Sequence, residues 1–126
     1  MIRVLYNDQK QPPAPFVLVT LVNPYNGSEL PDVPAQLDTA GDRTLVPLAL
    51  LDQLGLEPID DILIGGVGGT EETMPVFVVS LAILTLPART MRVVAHPGEP
   101  WILLGRDALN SHRLLLDGPN LALEID

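Results

Sequence analysis

The sequence predicts an all-β domain with one or two short helices. Its apolar residues fall in short runs rich in β-branched side chains, and these runs are bounded by Gly, Pro or Asn. The 13 prolines are spread along the 126 residues, which favours a barrel or sandwich of short strands over a long open sheet. At this length we expect one domain over residues 1–126 with a single core, in which residues 1–14 form an N-terminal extension.

The strand predictions follow the chain in order. Residues 16–24 form an apolar run that ends in the turn-forming sequence NPYNGS, which predicts a strand that enters a hairpin. Residues 74–84 and 90–95 repeat the pattern on either side of TLPAR. Three shorter segments follow, WILLG, RLLLDG and LALEI. The protein is therefore expected to be mainly β.

Two segments have helical rather than strand character. In PLALLDQLG, Pro47 occupies a position where the first turn of a helix tolerates proline, the leucines have helical spacing, and Gly55 is suited to the end of the helix. The segment RDALNSH, directly after Gly105, predicts a short second helix.

Composition excludes several classes of partner. Seven Lys plus Arg against sixteen Asp plus Glu give a formal charge of -9, which repels nucleic acid and anionic membranes. No apolar run has the roughly 18 residues of a membrane span. The N-terminus has no signal-peptide pattern, so we expect a cytoplasmic protein. The chain has no cysteine, and its two histidines lack partners at metal-ligand spacing, so no cofactor or metal is expected.

The sequence AQLDTAGDRTLVP raises the question of function, because Asp38 follows an apolar stretch where a buried strand would be expected to continue. Asp often begins a turn, and on composition alone a surface turn is the preferred interpretation. Two other elements change that judgement. ILIGGVGGTEE contains a glycine cluster, and WILLGRDAL places Gly105 and Arg106 after an apolar strand.

These three elements, in this order, resemble the retropepsin-like family of single-domain aspartic proteases, which includes the retroviral proteases. The Asp-Thr/Ser-Gly signature of that family, followed by Ala or Ser, is matched by residues 38–41. The glycine-rich flap of the family is matched by residues 64–69, and the late motif with its short helix by residues 103–107. The resemblance implies a retropepsin-like acid protease barrel with a glycine-rich flap hairpin, and it extends from about Pro34 to the C-terminus.

The resemblance also implies roles for individual residues. Asp38 would be the catalytic residue, and an active enzyme would be a homodimer with one Asp38 from each subunit, acting on a peptide or protein substrate. Arg106 would form a structural pair with Asp42. The loop around Asp38 would be supported by Thr39, Ala40 and Gly41, and substrate would be bound by Asp42, Ile64, Gly65, Gly66, Val67 and Gly68.

One departure from the family pattern leaves alternatives open. The third signature position is normally glycine, whereas this chain has Ala40 followed by Gly41. A methyl group at that position could leave a catalytically impaired module that dimerises or binds peptides. In a third interpretation, all three motifs are turns of an ordinary β-barrel interaction domain. A phosphate loop at GGVGGT is disfavoured because no Lys-Ser/Thr follows.

Overall fold

The computed structural model of the protein describes residues 1–65, 68–98 and 100–126, with ten strands and two short helices in those residues. The N-terminal half contains β1 Ile2–Leu5, β2 Phe16–Val22, β3 Glu29–Leu37, β4 Leu45–Pro47, α1 Leu48–Gln53 and β5 Asp60–Gly65. The C-terminal half contains β6 Glu71–Ile83, β7 Arg89–His96, β8 Ile102–Leu104, α2 Arg106–Leu109, β9 Leu114–Asp117 and β10 Ala122–Ile125.

The main sheet closes on itself as a barrel. Its strands are ordered β2-β3-β8-β4-β7-β6, and the pairing of β2 with β6 closes the ring, while β5 extends the sheet from the other edge of β6. The barrel forms because its strands alternate between buried and more exposed side chains, as in Val17, Val19 and Leu21 of β2, which are all buried. The predicted all-β, retropepsin-like fold is confirmed.

Two parallel pairings inside the barrel bring distant parts of the chain together. β3 runs parallel to β8, with Ala35 opposite Ile102 and Leu37 opposite Leu104. β4 runs parallel to β7, and it also contacts β8. As a result, the C-terminal ends of β3 and β8 lie side by side, and the chain leaves both strands at the same end of the barrel.

A second sheet of three strands has the order β1-β10-β9. The residues predicted as an N-terminal extension therefore contribute a strand, since Ile2 to Leu5 pair with Ile125 to Ala122. Residues 118–121 form the turn of the β9–β10 hairpin, where Asn120 donates hydrogen bonds to the side chain of Asp117.

The two predicted helices are present. α1 begins after Pro47 and is followed by Gly55 at φ +73°, and it buries Leu51 against the core. Among the described residues, no helix has the length and apolar character needed to cross a bilayer. β5 begins with two exposed residues, Asp60 and Asp61, because its pairing with β6 extends back to them.

Candidate active site

Asp38 lies at the point where β3 leaves the barrel. Its backbone N–H donates to the carbonyl of Leu104 at 2.9 Å, which continues the pairing of β3 with β8 by one residue. Leu37 is buried in the core, whereas Asp38 is half-buried, so the carboxylate stands at the edge of the apolar interior. The backbone hydrogen bond to Leu104 therefore fixes an ionisable side chain at the end of β3.

Gly41 packs directly against this carboxylate. Its N–H donates to Asp38 Oδ1 at 3.2 Å and to the Asp38 carbonyl at 3.1 Å. A Cβ atom at residue 41 would lie 2.8 Å from Asp38 Oδ2, whereas Ala40 is exposed. In this loop the position that excludes a side chain is thus 41, which gives a physical reason for the order Ala-Gly.

Arg106 holds the loop from the other side. Its Nη1 donates to the carbonyls of Thr39 and Ala40, both at 3.1 Å, while Nη2 forms an ion pair with Asp42. The backbone N–H of Arg106 donates to the Gly41 carbonyl at 2.8 Å. The structure thus brings Arg106 and Asp42 together, although the side chains are 45% and 83% exposed in the single chain.

A hydrogen-bonded polar pair beside the loop, formed by the buried Thr44 and the half-buried Asp107, was missed in the sequence. Thr44 is fully buried, and its hydroxyl donates to Asp107 Oδ1 at 2.7 Å while its N–H donates to Asp107 Oδ2 at 3.0 Å. The same hydroxyl accepts the N–H of Gly105 at 3.2 Å. The only sequence signal was that Asp107 follows Arg106, which does not indicate a partner 63 residues away.

Gly105 is required because two backbones meet there. A Cβ atom at this position would lie 2.5 Å from the carbonyl carbon and oxygen of Arg43. The glycine therefore lets the start of α2 pass against the loop that carries Asp38, which is how Arg106 comes within hydrogen-bond distance of Thr39 and Ala40.

A cavity of about 280 Å³ opens in front of Asp38. The end of β5 forms one of its walls, so the structure places Ile64 and Gly65 of the predicted substrate-binding set across from the loop. Gly68 lies in the turn before β6, and Gly66 and Val67 lie outside the described residues. The lining consists of Asp38, Ala40, Gly41, Asp42, Arg43, Leu45, Ile64 and Gly65.

Among the described residues, two carboxylates line this cavity, and they differ in their hydrogen-bond and ion-pair partners. Asp42 is neutralised by Arg106, whereas Asp38 accepts only the backbone N–H of Gly41 in the described part of the chain. The described residues contain no group of three or more His, Asp or Glu side chains that could hold a metal ion. Asp38 is thus the cavity's available acid or base.

The chain matches a known protein family. Residues 24–108 match the family model described as aspartyl protease, and this range includes the whole loop and Arg106. No curated protein sequence matches the chain.

Solved structures share the fold at low sequence identity. The EIAV protease, solved with the inhibitor HBY-793, is similar with a TM-score of 0.60 at 23% identity, covering 86% of this chain and 93% of that one. The retroviral protease-like domain of Ddi1 from Leishmania major has a TM-score of 0.55 at 15% identity, covering 90% and 88%. A foamy viral protease-reverse transcriptase has a TM-score of 0.55 at 16% identity, covering 79% of this chain and 16% of that one.

Proposed function

The chain belongs to the aspartyl protease family, and we propose that it is a homodimeric endopeptidase in which each subunit contributes Asp38 to one catalytic site. The observation that carries the proposal is the position of this residue. Asp38 stands at the end of a barrel strand, fixed by backbone hydrogen bonds, and faces a cavity closed on one side by the flap strand β5.

The need for a second carboxylate argues for the dimer. Peptide hydrolysis by this class of enzyme uses two carboxylates that share a proton and hold one water. Asp42 is the other carboxylate of the cavity, and its ion pair with Arg106 leaves it unsuited to sharing a proton with Asp38. A second copy of the chain supplies the missing group if a two-fold axis passes beside Asp38.

The chemistry then follows from the pair. The unprotonated Asp38 takes a proton from the bound water, which attacks the scissile carbonyl carbon. The protonated Asp38 of the other subunit donates its proton to the carbonyl oxygen, and collapse of the tetrahedral intermediate transfers a proton to the leaving amine. Gly41 keeps one carboxylate oxygen of Asp38 oriented during these transfers, because its N–H donates to that oxygen. Arg106 in turn fixes the loop by donating to the carbonyl of Ala40.

The substrate would bind as an extended strand between the loop and β5. Among the described strands, β5 pairs only with β6. The backbone N–H and C=O groups along its other edge are therefore available to hydrogen-bond a peptide backbone. Ile64 and Gly65 would form this contact, and the flap, with Gly66, Val67 and Gly68, would close over the peptide.

Substitution of Asp38 by asparagine tests the proposal. Asp38→Asn preserves the shape of the side chain and removes its ionisation, so we expect cleavage of unfolded casein to be lost while the unfolding temperature stays close to that of wild type. Asp52→Asn is the matched control, because Asp52 is an exposed residue on α1 away from the cavity. Cleavage by Asp38→Asn at the wild-type rate would refute the assignment.

A mixing experiment tests the dimer separately. Wild-type protein is combined with Asp38→Asn in varied ratios and allowed to exchange subunits. If each active site needs two Asp38 carboxylates, activity falls as the square of the wild-type fraction. A linear fall would show that one chain is sufficient. A statine-type inhibitor that binds without any measurable cleavage of casein would instead support a module that only binds peptides.

A further inference from the structure

Asp38 shares one face of the sheet with a cluster of side chains outside the cavity. In β3, Ala35 and Leu37 are buried in the core, so the alternate residues Gln36 and Asp38 point to the other face. Phe16 of β2 lies directly opposite Gln36 and shares that face. Two residues along a strand span about 7 Å, so Gln36 lies about that far along β3 from Asp38, and Phe16 is its neighbour on β2.

Trp101 completes an aromatic platform on this face. Its ring meets the ring of Phe16 edge to face, with centroids 5.7 Å apart and planes at 72°. Trp101 directly precedes β8, whose Leu103 lies opposite Gln36. The indole Nε1 is buried and has no acceptor among the described residues, which leaves a costly donor unsatisfied.

Lys10 covers the platform. Its ammonium lies 3.3 Å from the centroid of the Trp101 ring and 5.9 Å from that of Phe16, a cation–π arrangement. No carboxylate of the described residues is in salt-bridge contact with Lys10. The chain thus places its single lysine, in a protein of net charge -9, against the aromatic rings of this face, with no carboxylate of the described residues paired to it.

We propose that Lys10 and Trp101 form a subsite for an acidic side chain of the substrate peptide, on the sheet face that also carries Asp38. The inference rests on the proposed function, because it uses Asp38 as the catalytic residue. A carboxylate would gain a charge-assisted hydrogen bond from the ammonium. An apolar side chain would have to displace the cation from the ring. A symmetric dimer places one such subsite on each side of the scissile bond.

The two residues allow a direct binding test, since Trp101 is the only tryptophan and Lys10 the only lysine. Peptides acetylated at one end and amidated at the other, which differ only in glutamate or glutamine at one scanned position, are titrated into Asp38→Asn protein. Fluorescence of Trp101 reports binding without turnover. We expect glutamate at one or more positions to bind about tenfold more tightly than glutamine, equivalent to about 1.4 kcal/mol.

Variants of Lys10 decide whether the preference arises at this subsite. Lys10→Gln should abolish it and Lys10→Glu should shift it toward peptides that carry lysine. Arg92→Gln, which removes the same charge from an exposed position on β7, should retain it. Equal binding of the two peptide series, or a preference that persists in Lys10→Gln, overturns the subsite.

The failure of the subsite can be told apart from the failure of the proposed function. If wild-type protein cleaves casein but shows no glutamate preference, the subsite alone is wrong. If it neither cleaves casein nor binds any peptide, both are wrong.

Discussion

Gly41→Ala should reduce activity while leaving the fold intact. Gly41 is not in the left-handed region of backbone conformation, so alanine can adopt the same backbone. Its new Cβ would lie 2.8 Å from Asp38 Oδ2, short of the 3.4 Å at which ordinary van der Waals contact begins. The carboxylate, at the end of a short side chain, must therefore move by about 0.6 Å.

The size of the effect follows from that displacement. A misplacement of about 1 Å costs roughly 100-fold in rate, so we expect kcat/KM to fall roughly 10- to 100-fold, which corresponds to about 1.4–2.7 kcal/mol of transition-state stabilisation. The free energy of unfolding should change by less than about 1 kcal/mol, since alanine also restricts the unfolded chain. Initial rates on a fluorogenic peptide and urea denaturation measure the two quantities.

Two further variants make the test discriminating. Ala40→Gly should keep kcat/KM near the wild-type value, because Ala40 is exposed. The double variant Ala40→Gly with Gly41→Ala restores the residue order of the retroviral signature and should be as impaired as Gly41→Ala alone. A double variant as active as wild type would refute the reasoning, since it would show that a side chain at 41 does not displace Asp38.

The other predictions concern the supports of the loop. Thr44→Val leaves the Gly105 N–H and an Asp107 oxygen without a partner, so it should lower the free energy of unfolding by about 2 kcal/mol. Thr44→Ser, which keeps the hydroxyl, should cost less, and equal urea midpoints for wild type and Thr44→Val would contradict the role. Arg106→Ala removes an ion pair whose two side chains are exposed, so the free energy of unfolding of the protein should change by no more than about 1 kcal/mol. The dimer should nevertheless be weaker in sedimentation at low micromolar concentration. Arg106→Lys keeps the charge but not the planar fork, so it should rescue activity only in part, and a dimer of Arg106→Ala as tight as wild type would be evidence against a role in assembly.

Local signals in the sequence predicted much of the fold. The turn sequence after β2 and the leucine spacing of α1 act over a few residues, and both elements are present. β3 was harder to recognise because it contains Pro31 and Pro34. Pro31 lies where the register with β2 is irregular, whereas Pro34 pairs in register with Leu18. β1 could not be predicted, since its partner is the last strand of the chain.

The candidate site could be predicted only where its functional residues are neighbours in the sequence. The motif around Asp38 identified the carboxylate and, through the resemblance, its ion-paired neighbour. The link from Thr44 to Asp107 and the contact of Lys10 with Trp101 each join segments more than 60 residues apart, so neither leaves a local pattern. The effect of the Ala-Gly order also could not be predicted from the sequence, because only the structure shows that a Cβ atom at residue 41 would meet Asp38.

The parallel pairing of β3 with β8 has a consequence for the timing of folding. The hydrogen bonds that hold the catalytic loop, from Asp38 to Leu104 and from Arg106 to Ala40, join residues separated by 66 positions. Contacts of such high sequence separation require closure of a long loop, so they form after local hairpins such as β6–β7. A chain still emerging from the ribosome lacks Leu104 and Arg106 when Asp38 is already exposed. The loop around Asp38 can therefore assemble only after synthesis has passed Arg106, and under the proposed function an unfinished copy would not yet hold its catalytic residue in place.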